Sequence, residues 1–187
     1  MSELKRVAVI GSNSFSGGDF IDLLLETGQY DVVGFSRSPK KTRLFLPDSC
    51  FGSEHFTFYQ ADINSRLDRL ILLLDDFKPH YIVNFAAQSE VAPSWKSPVD
   101  WYQTNVVALT ALANELKDRD YIERFIQISS PEVYGTCEGL VNEKTPPNPS
   151  TPYAASKASG DFSLMTFYKQ YKFPVVFIRS TNVYGPR

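Results

Sequence analysis

Six short apolar runs alternate with longer stretches of helical periodicity, and this alternation constrains the chain more than any other feature. Residues 6–10 (RVAVI), 31–35 (DVVGF), 56–59 (FTFY), 81–85 (YIVNF), 124–128 (RFIQI) and 174–178 (PVVFI) read as strands. They are rich in β-branched and aromatic residues and are nearly continuous in hydrophobicity, the pattern of strands covered on both faces. Between them, residues 18–27 carry Phe20, Ile21, Leu24 and Leu25 at helical spacing, with Gly28 as a stop. Leu67, Leu70, Ile71 and Leu74 form a second stripe, residues 99–117 a long helix, and residues 151–171 a helix begun through Pro152. Strands alternating with helices imply parallel pairing through right-handed crossovers. The expected fold is α/β, a doubly wound parallel sheet of order 3-2-1-4-5-6.

Composition narrows the function. At 187 residues the chain has room for one domain of ordinary size. A hydrophobic content of 43% excludes a disordered chain. Lys plus Arg against Asp plus Glu is 19 − 21 = −2, which gives no general attraction to nucleic acid or anionic lipid. No apolar run is long enough to cross a membrane or to act as a secretory signal. Cys50 and Cys137 stand alone without a CxxC pair, so a reducing, cytoplasmic setting is expected. His55 and His80 lack metal-ligand spacing, and no metal is expected.

The turn after the first strand, Gly11-Ser-Asn-Ser-Phe-Ser-Gly17, stands where backbone N–H groups and a helix N-terminus can hold a phosphate. Gly11, Asn13, Ser14, Phe15, Ser16 and Gly17 are therefore candidate dinucleotide-binding positions. Gly11 permits the tight turn, and Gly17 a close approach of helix and strand. Ser14 stands where a middle glycine is usual; its Cβ narrows the space and its hydroxyl can donate to phosphate. About 20 residues beyond such a turn an acidic residue would mark NAD. Here Ser36 is followed by Arg37, with Lys40, Lys41 and Arg43 close behind, a pattern suited to the 2′-phosphate of NADP. NADP is thus favoured, with NAD the alternative. Asp62 and Ile63 follow the third strand, either to meet the adenine or, for Asp62, to cap a helix.

Tyr153 and Lys157 lie four apart in YAASK, on one helical face. A nearby ammonium lowers a phenol's pKa and favours proton exchange with a hydroxyl. Ser130 and Glu132, in SSPEVYG after the fifth strand, lie at the carboxyl edge where such sheets bind ligands. The bland reading of both is turn chemistry and a solvated charge.

GSNSFSG, NFAAQSEV, SSPEVYG, STPYAASK and RSTNVYGPR occur in this order. Together they resemble the extended short-chain dehydrogenase/reductase family, with its Rossmann-type domain, and most of all its nucleotide-sugar 4,6-dehydratases of the GDP-mannose and dTDP-glucose kinds. The resemblance implies that Ser130, Tyr153 and Lys157 form the catalytic triad. Tyr153 would take the proton of the sugar 4-hydroxyl, and Lys157 would hold the nicotinamide ribose. It also implies that Glu132 is the base at C5, that Ala86 and Ala87 line the cofactor, and that Asn105 is structural. Ser89 and Asn182 become substrate-binding candidates, with Asn182 at the diphosphate. The dTDP-glucose enzymes have an acid just before the glutamate, to protonate the departing hydroxyl; Pro131 has no proton to give.

A 4,6-dehydratase therefore ranks first. A nucleotide-sugar epimerase or UDP-glucuronate decarboxylase ranks second and a reductase third. A non-catalytic NADP(H)-sensing domain is the alternative of another class. The resemblance further implies a homodimer through helices 99–117 and 151–171. Residues 1–187 would be the NAD(P)-binding domain of a longer enzyme whose carboxyl-terminal substrate lobe is largely absent. Cofactor affinity with little turnover is the expected behaviour of these residues alone.

Overall fold

The computed structural model describes residues 4–137 and 139–185. Its strands are β1 (Lys5–Ile10), β2 (Tyr30–Ser36), β3 (Phe56–Gln60), β4 (Tyr81–Asn84), β5 (Arg124–Ile128) and β6 (Val175–Ile178). All pair in parallel in the order 3-2-1-4-5-6 expected from the sequence. The helices are α1 (Phe15–Glu26), α2 (Leu67–Phe77), α3 (Pro98–Tyr102), α4 (Leu109–Leu116) and α5 (Pro152–Tyr171). Single turns at Val91–Ser94, Asp48–Cys50 and Pro131–Tyr134 complete the described elements named here.

Successive residues of a strand face opposite sides of the sheet, and the core divides accordingly. Ala8, Ile10, Val33, Phe35, Ile82 and Phe125 pack with Leu70 and Leu74 of α2, Leu112 and Leu116 of α4 and Leu164 of α5. Val7, Val9, Val32 and Val83 pack with Ile21 and Leu24 of α1. The second face is covered less completely than the continuous apolar runs imply. Val176 and Ile178 pair with Ile126 and Ile128 and remain 43% exposed each. Among the described residues, no helix is long and apolar enough to cross a membrane.

The stretch expected as a single helix over 99–117 is interrupted. Residues Gln103–Ala108 widen into a π-helical turn between α3 and α4. The side chain of Asn105 accounts for it. Its Oδ1 accepts from Gln88 N at 2.9 Å, while Nδ2 donates to Gln88 O at 3.0 Å and to Ser156 Oγ at 2.9 Å. The Asn105 carbonyl sits against the bare Cα of Gly160 on α5. Extra backbone in such a turn is common where a side chain is aimed at a functional position.

Helix starts follow their caps. Ser14 Oγ accepts from Gly17 N at the head of α1, three residues earlier than the apolar stripe suggests. Thr151 Oγ1 accepts from Ala154 N, and Pro152 is the first residue of α5. Gly28 has φ +63° just past α1, the conformation its stop role requires.

A Cβ at position 160 would overlap the Asn105 carbonyl oxygen and crowd Leu109. Gly160→Ala should cost about 1–3 kcal/mol, the usual range for forced overpacking, read as a lower urea midpoint at unchanged slope.

Candidate active site

The carboxyl ends of β1, β2, β3 and β4 surround a cleft of about 270 Å³. Its walls include Gly11, Asn13, Ser14, Ser36, Arg37, Asp62, Ile63, Ala86 and Ala87, nine of the residues singled out in the sequence. Phe15, Ser16 and Gly17 begin α1 and are not among the lining residues. Gly11 has φ +88°, and a Cβ there would lie 2.7 Å from Ala86 N. The turn thus passes the start of the β4 loop at backbone contact distance, and a side chain would close the cleft between them. Gly17 faces the turn itself: a Cβ would meet the Gly11 carbonyl at 2.5 Å.

Ser14 departs from expectation. Its hydroxyl donates to Gly11 O at 2.7 Å and accepts from Gly17 N at 3.1 Å. The proton expected for a phosphate is committed to the turn, because a helix N-terminus has unpaired N–H groups that a serine satisfies locally. Asn13 fastens the turn to the end of β2. Its N–H donates to Ser36 Oγ at 3.1 Å, and Nδ2 donates to Ser38 Oγ at 3.0 Å and Pro39 O at 2.8 Å.

The basic cluster divides in two. Arg37 and Lys41 line the cleft. Lys40 instead lies over the rings of Phe51 and Phe56 and donates to Cys50 O, and Arg43 pairs with Asp48 and stacks on Phe51. Asp62, the acidic residue in the wall, takes hydrogen bonds from Asn64 N and Ser65 Oγ within its own turn; it does not cap α2, whose N-cap is Arg66.

The second group gathers beside this cleft, where β5 ends and α5 begins. Ser130 and Tyr153 are 5% and 9% exposed, and Lys157 is 4%. Ser130 Oγ accepts from Glu132 N at 3.2 Å, capping the turn at Pro131–Tyr134. Glu132 is exposed on that turn, near enough for its charge to act on Tyr153. Burial pushes the Tyr153 phenol up, a hydrogen bond with Ser130 opposes this, and the Glu132 charge adds to it. The lowering expected from Lys157 is thus reversed. Lys157 Nζ donates instead to the Ile128 carbonyl at 2.7 Å. Burial lowers Lys157 to about 8, and Asp161 opposes that fall.

Ser89 is exposed on the loop after β4. Asn182 is exposed on the segment that follows β6 and crosses towards α1, where Gly185 meets Phe15. Two supports, Ser94 and Asp161, were not read from the sequence. Ser94 Oγ accepts from Tyr153 N at 3.2 Å. Asp161 accepts from Ser129 Oγ at 2.7 Å and from Arg179 Nη2 at 2.8 Å. Asp161 was visible in principle, since 153, 157 and 161 form one stripe at helical spacing; Ser94 carried no local signal. Among the described residues no group of His, Cys, Asp and Glu is arranged to hold a metal.

A glycine-turn cleft thus lies beside a buried Ser-Tyr-Lys group at the carboxyl edge of the sheet. The chain belongs to the GDP-mannose 4,6-dehydratase family, whose model matches residues 9–187, within the extended short-chain dehydrogenase/reductases. It is 32% identical over 185 residues to dTDP-D-glucose 4,6-dehydratase of Homo sapiens, covering 97% of this chain and 52% of that protein. It is 34% identical over 189 residues to dTDP-glucose 4,6-dehydratase of Xanthomonas campestris, covering 95% and 53%. The chain thus spans about half the length of the curated relatives it matches. Among solved structures, UDP-glucuronic acid 4-epimerase from Bacillus cereus, with UDP-glucuronic acid and NAD, superposes with a TM-score of 0.87 at 29% identity. That match covers 97% of this chain and 58% of the epimerase. The dTDP-glucose 4,6-dehydratase of Bacillus anthracis with NAD gives 0.84 at 28%, covering 97% and 56%.

Proposed function

We propose that residues 1–187 are the dinucleotide-binding domain of a nucleotide-sugar 4,6-dehydratase. The observation that carries this is the convergence of Ser130, Tyr153 and Lys157 beside the cleft, with Glu132 acting on Tyr153. The cleft suits a dinucleotide: the missing Cβ of Gly11 leaves backbone exposed to a pyrophosphate at the head of α1. Gly11, Asn13 and Ala86 would hold it, with Phe15, Ser16 and Gly17 contributing through the helix N-terminus. Ile63 would bound the adenine. A nicotinamide bound here supplies reversible hydride acceptance.

The chain's own residues manage protons. Ser130 donates to the sugar 4-oxygen and orients it. Tyr153, as the phenolate, accepts the 4-hydroxyl proton as the carbonyl forms, and that proton together with the hydroxide later lost from C6 makes up the water removed. The charged Lys157 stabilises the phenolate form while binding ribose hydroxyls. A 4-ketone acidifies the proton on C5, and Glu132, exposed on its turn, would remove it. Elimination then expels the C6 hydroxyl as hydroxide, and Glu132 would return its proton to C5 as hydride is restored at C6. Ser89 and Asn182 would contact sugar and diphosphate. Pro131 can protonate nothing, which favours a second reading: a 4-epimerase, like the Bacillus cereus relative, needs no acid at that position.

NADP is the preferred cofactor because Arg37 and Lys41 are the cations in the wall and Ser36 replaces the acid that would repel a 2′-phosphate. The solved relatives named above hold NAD, which is the competing assignment. Exposed Val99, Tyr102 and Val107 on one helix, and Phe162, Met165 and Tyr168 on α5, form apolar faces suited to a homodimer.

Three measurements test this reading. In fluorescence titrations NADPH should bind more tightly than NADH, and Arg37→Ala should remove that preference, at least tenfold; equal affinities in the parent protein would instead assign NAD. Joined to a carboxyl-terminal substrate lobe, these residues should convert GDP- or dTDP-hexoses to a product lighter by one water, and Glu132→Gln should slow its formation by about 10²–10⁴-fold. Unchanged mass with altered sugar stereochemistry would establish the epimerase. Sedimentation should give twice the chain's mass, and Val107→Glu should halve it.

A further inference from the structure

Lys157 and Asp161 are both buried, at 4% and 3% exposure, one helical turn apart on α5. Among the described residues, Lys157 has a single hydrogen-bond acceptor, the neutral carbonyl of Ile128. A neutral acceptor does not balance a buried ammonium. Asp161 shows the complementary pattern. Its Oδ2 takes hydrogen bonds from Ser129 Oγ and from Arg179 Nε and Nη2. Its Oδ1 is buried with no hydrogen-bond partner. A buried, unpartnered carboxylate oxygen is tolerable where it lies in the field of a cation.

The groups around Lys157 come from several elements. Tyr153 and Asp161 share its helix. Ser129 and Ser130 end β5, Glu132 and Tyr134 lie on the turn that follows, and Arg179 follows β6. Glu132 is exposed and acts on Tyr153. Arg179 is matched by Asp161 and by Tyr134, whose hydroxyl accepts from Nη1 at 2.6 Å. Asp161 is the charge that acts on Lys157 against burial.

We propose that Asp161 is a positioning residue for the site lysine: its carboxylate, clamped by Ser129 and Arg179, is the counter-charge that keeps Lys157 an ammonium inside the protein. This rests on Lys157 being the site lysine of the proposed enzyme. The clamp makes the charge state of Lys157 depend on contacts from the ends of both β5 and β6. Loss of either contact would loosen the carboxylate without touching substrate or cofactor.

The test reads Lys157 directly, in cofactor-free protein labelled with ¹³C at lysine Cε, titrated by NMR and assigned with Lys157→Met. In Asp161→Asn the Lys157 midpoint should fall by about one pH unit or more, since a buried lysine has lost its opposite charge. A structural role alone would admit water and move the midpoint up towards that of an ordinary lysine; an upward or absent shift overturns the proposal. Asp161→Glu should restore most of the parent midpoint. Should Asp161→Asn fail to fold, the reciprocal measurement decides. Coupling between two sites is symmetric, so Lys157→Met must raise the Asp161 carboxyl midpoint, and no rise overturns the proposal. None of these readings involves a dinucleotide or a sugar, so they stand or fall separately from the proposed enzymatic reaction.

Discussion

The contact between the Asn105 carbonyl and the bare Cα of Gly160 sets the spacing on which the whole site depends. With those backbones pressed together, Asn105 Nδ2 reaches Ser156 on α5 and Gln88 on the loop after β4. Ser156 lies between Tyr153 and Lys157, so the face carrying the candidate proton donor and lysine is fixed relative to Ala86 and Ala87 in the cleft wall. Ser94 closes the same loop onto the first turn of α5 through Tyr153 N. Two parts of the site that are some seventy residues apart in the chain therefore move as one body. Each buried polar atom in this knot has a partner, the condition under which such a network specifies geometry rather than weakening the core.

Much of this architecture was legible because it is written in local pattern. Six apolar runs and their spacing define six strands and their order, and the cleft residues follow from the ends of those strands. What the pattern could not carry is non-local. The π-helical turn at Gln103–Ala108 arises from hydrogen bonds to Gln88 and Ser156, and helical periodicity alone reads through it. The fate of the basic loop was equally hidden. The sequence does not distinguish Lys40 and Arg43 from Arg37 and Lys41, but the first two lie over Phe51 or Phe56, while Arg37 and Lys41, the latter also over Phe45, line the cleft. The local bonding of Ser14 is hidden for a different reason. A serine at a helix start satisfies its own turn before it is available to a ligand.

The two halves of the site obey different electrostatics. The cleft is lined by the glycine turn, small and apolar side chains such as Ala86 and Phe85, Asp62, and the cations Arg37 and Lys41. The corner at β5, β6 and α5 differs. It buries Lys157 and Asp161 with Arg179 half-covered, an arrangement that hydrophobic replacements of similar volume would equal or better in stability alone. Such charges persist in a fold when their chemistry is used. Both halves share the carboxyl edge of the sheet, where the Ile128 carbonyl at the end of β5 accepts from Lys157. A buried ammonium finds its acceptor there, a phosphate finds N–H groups at the facing helix, and both are available only at this edge of a parallel sheet.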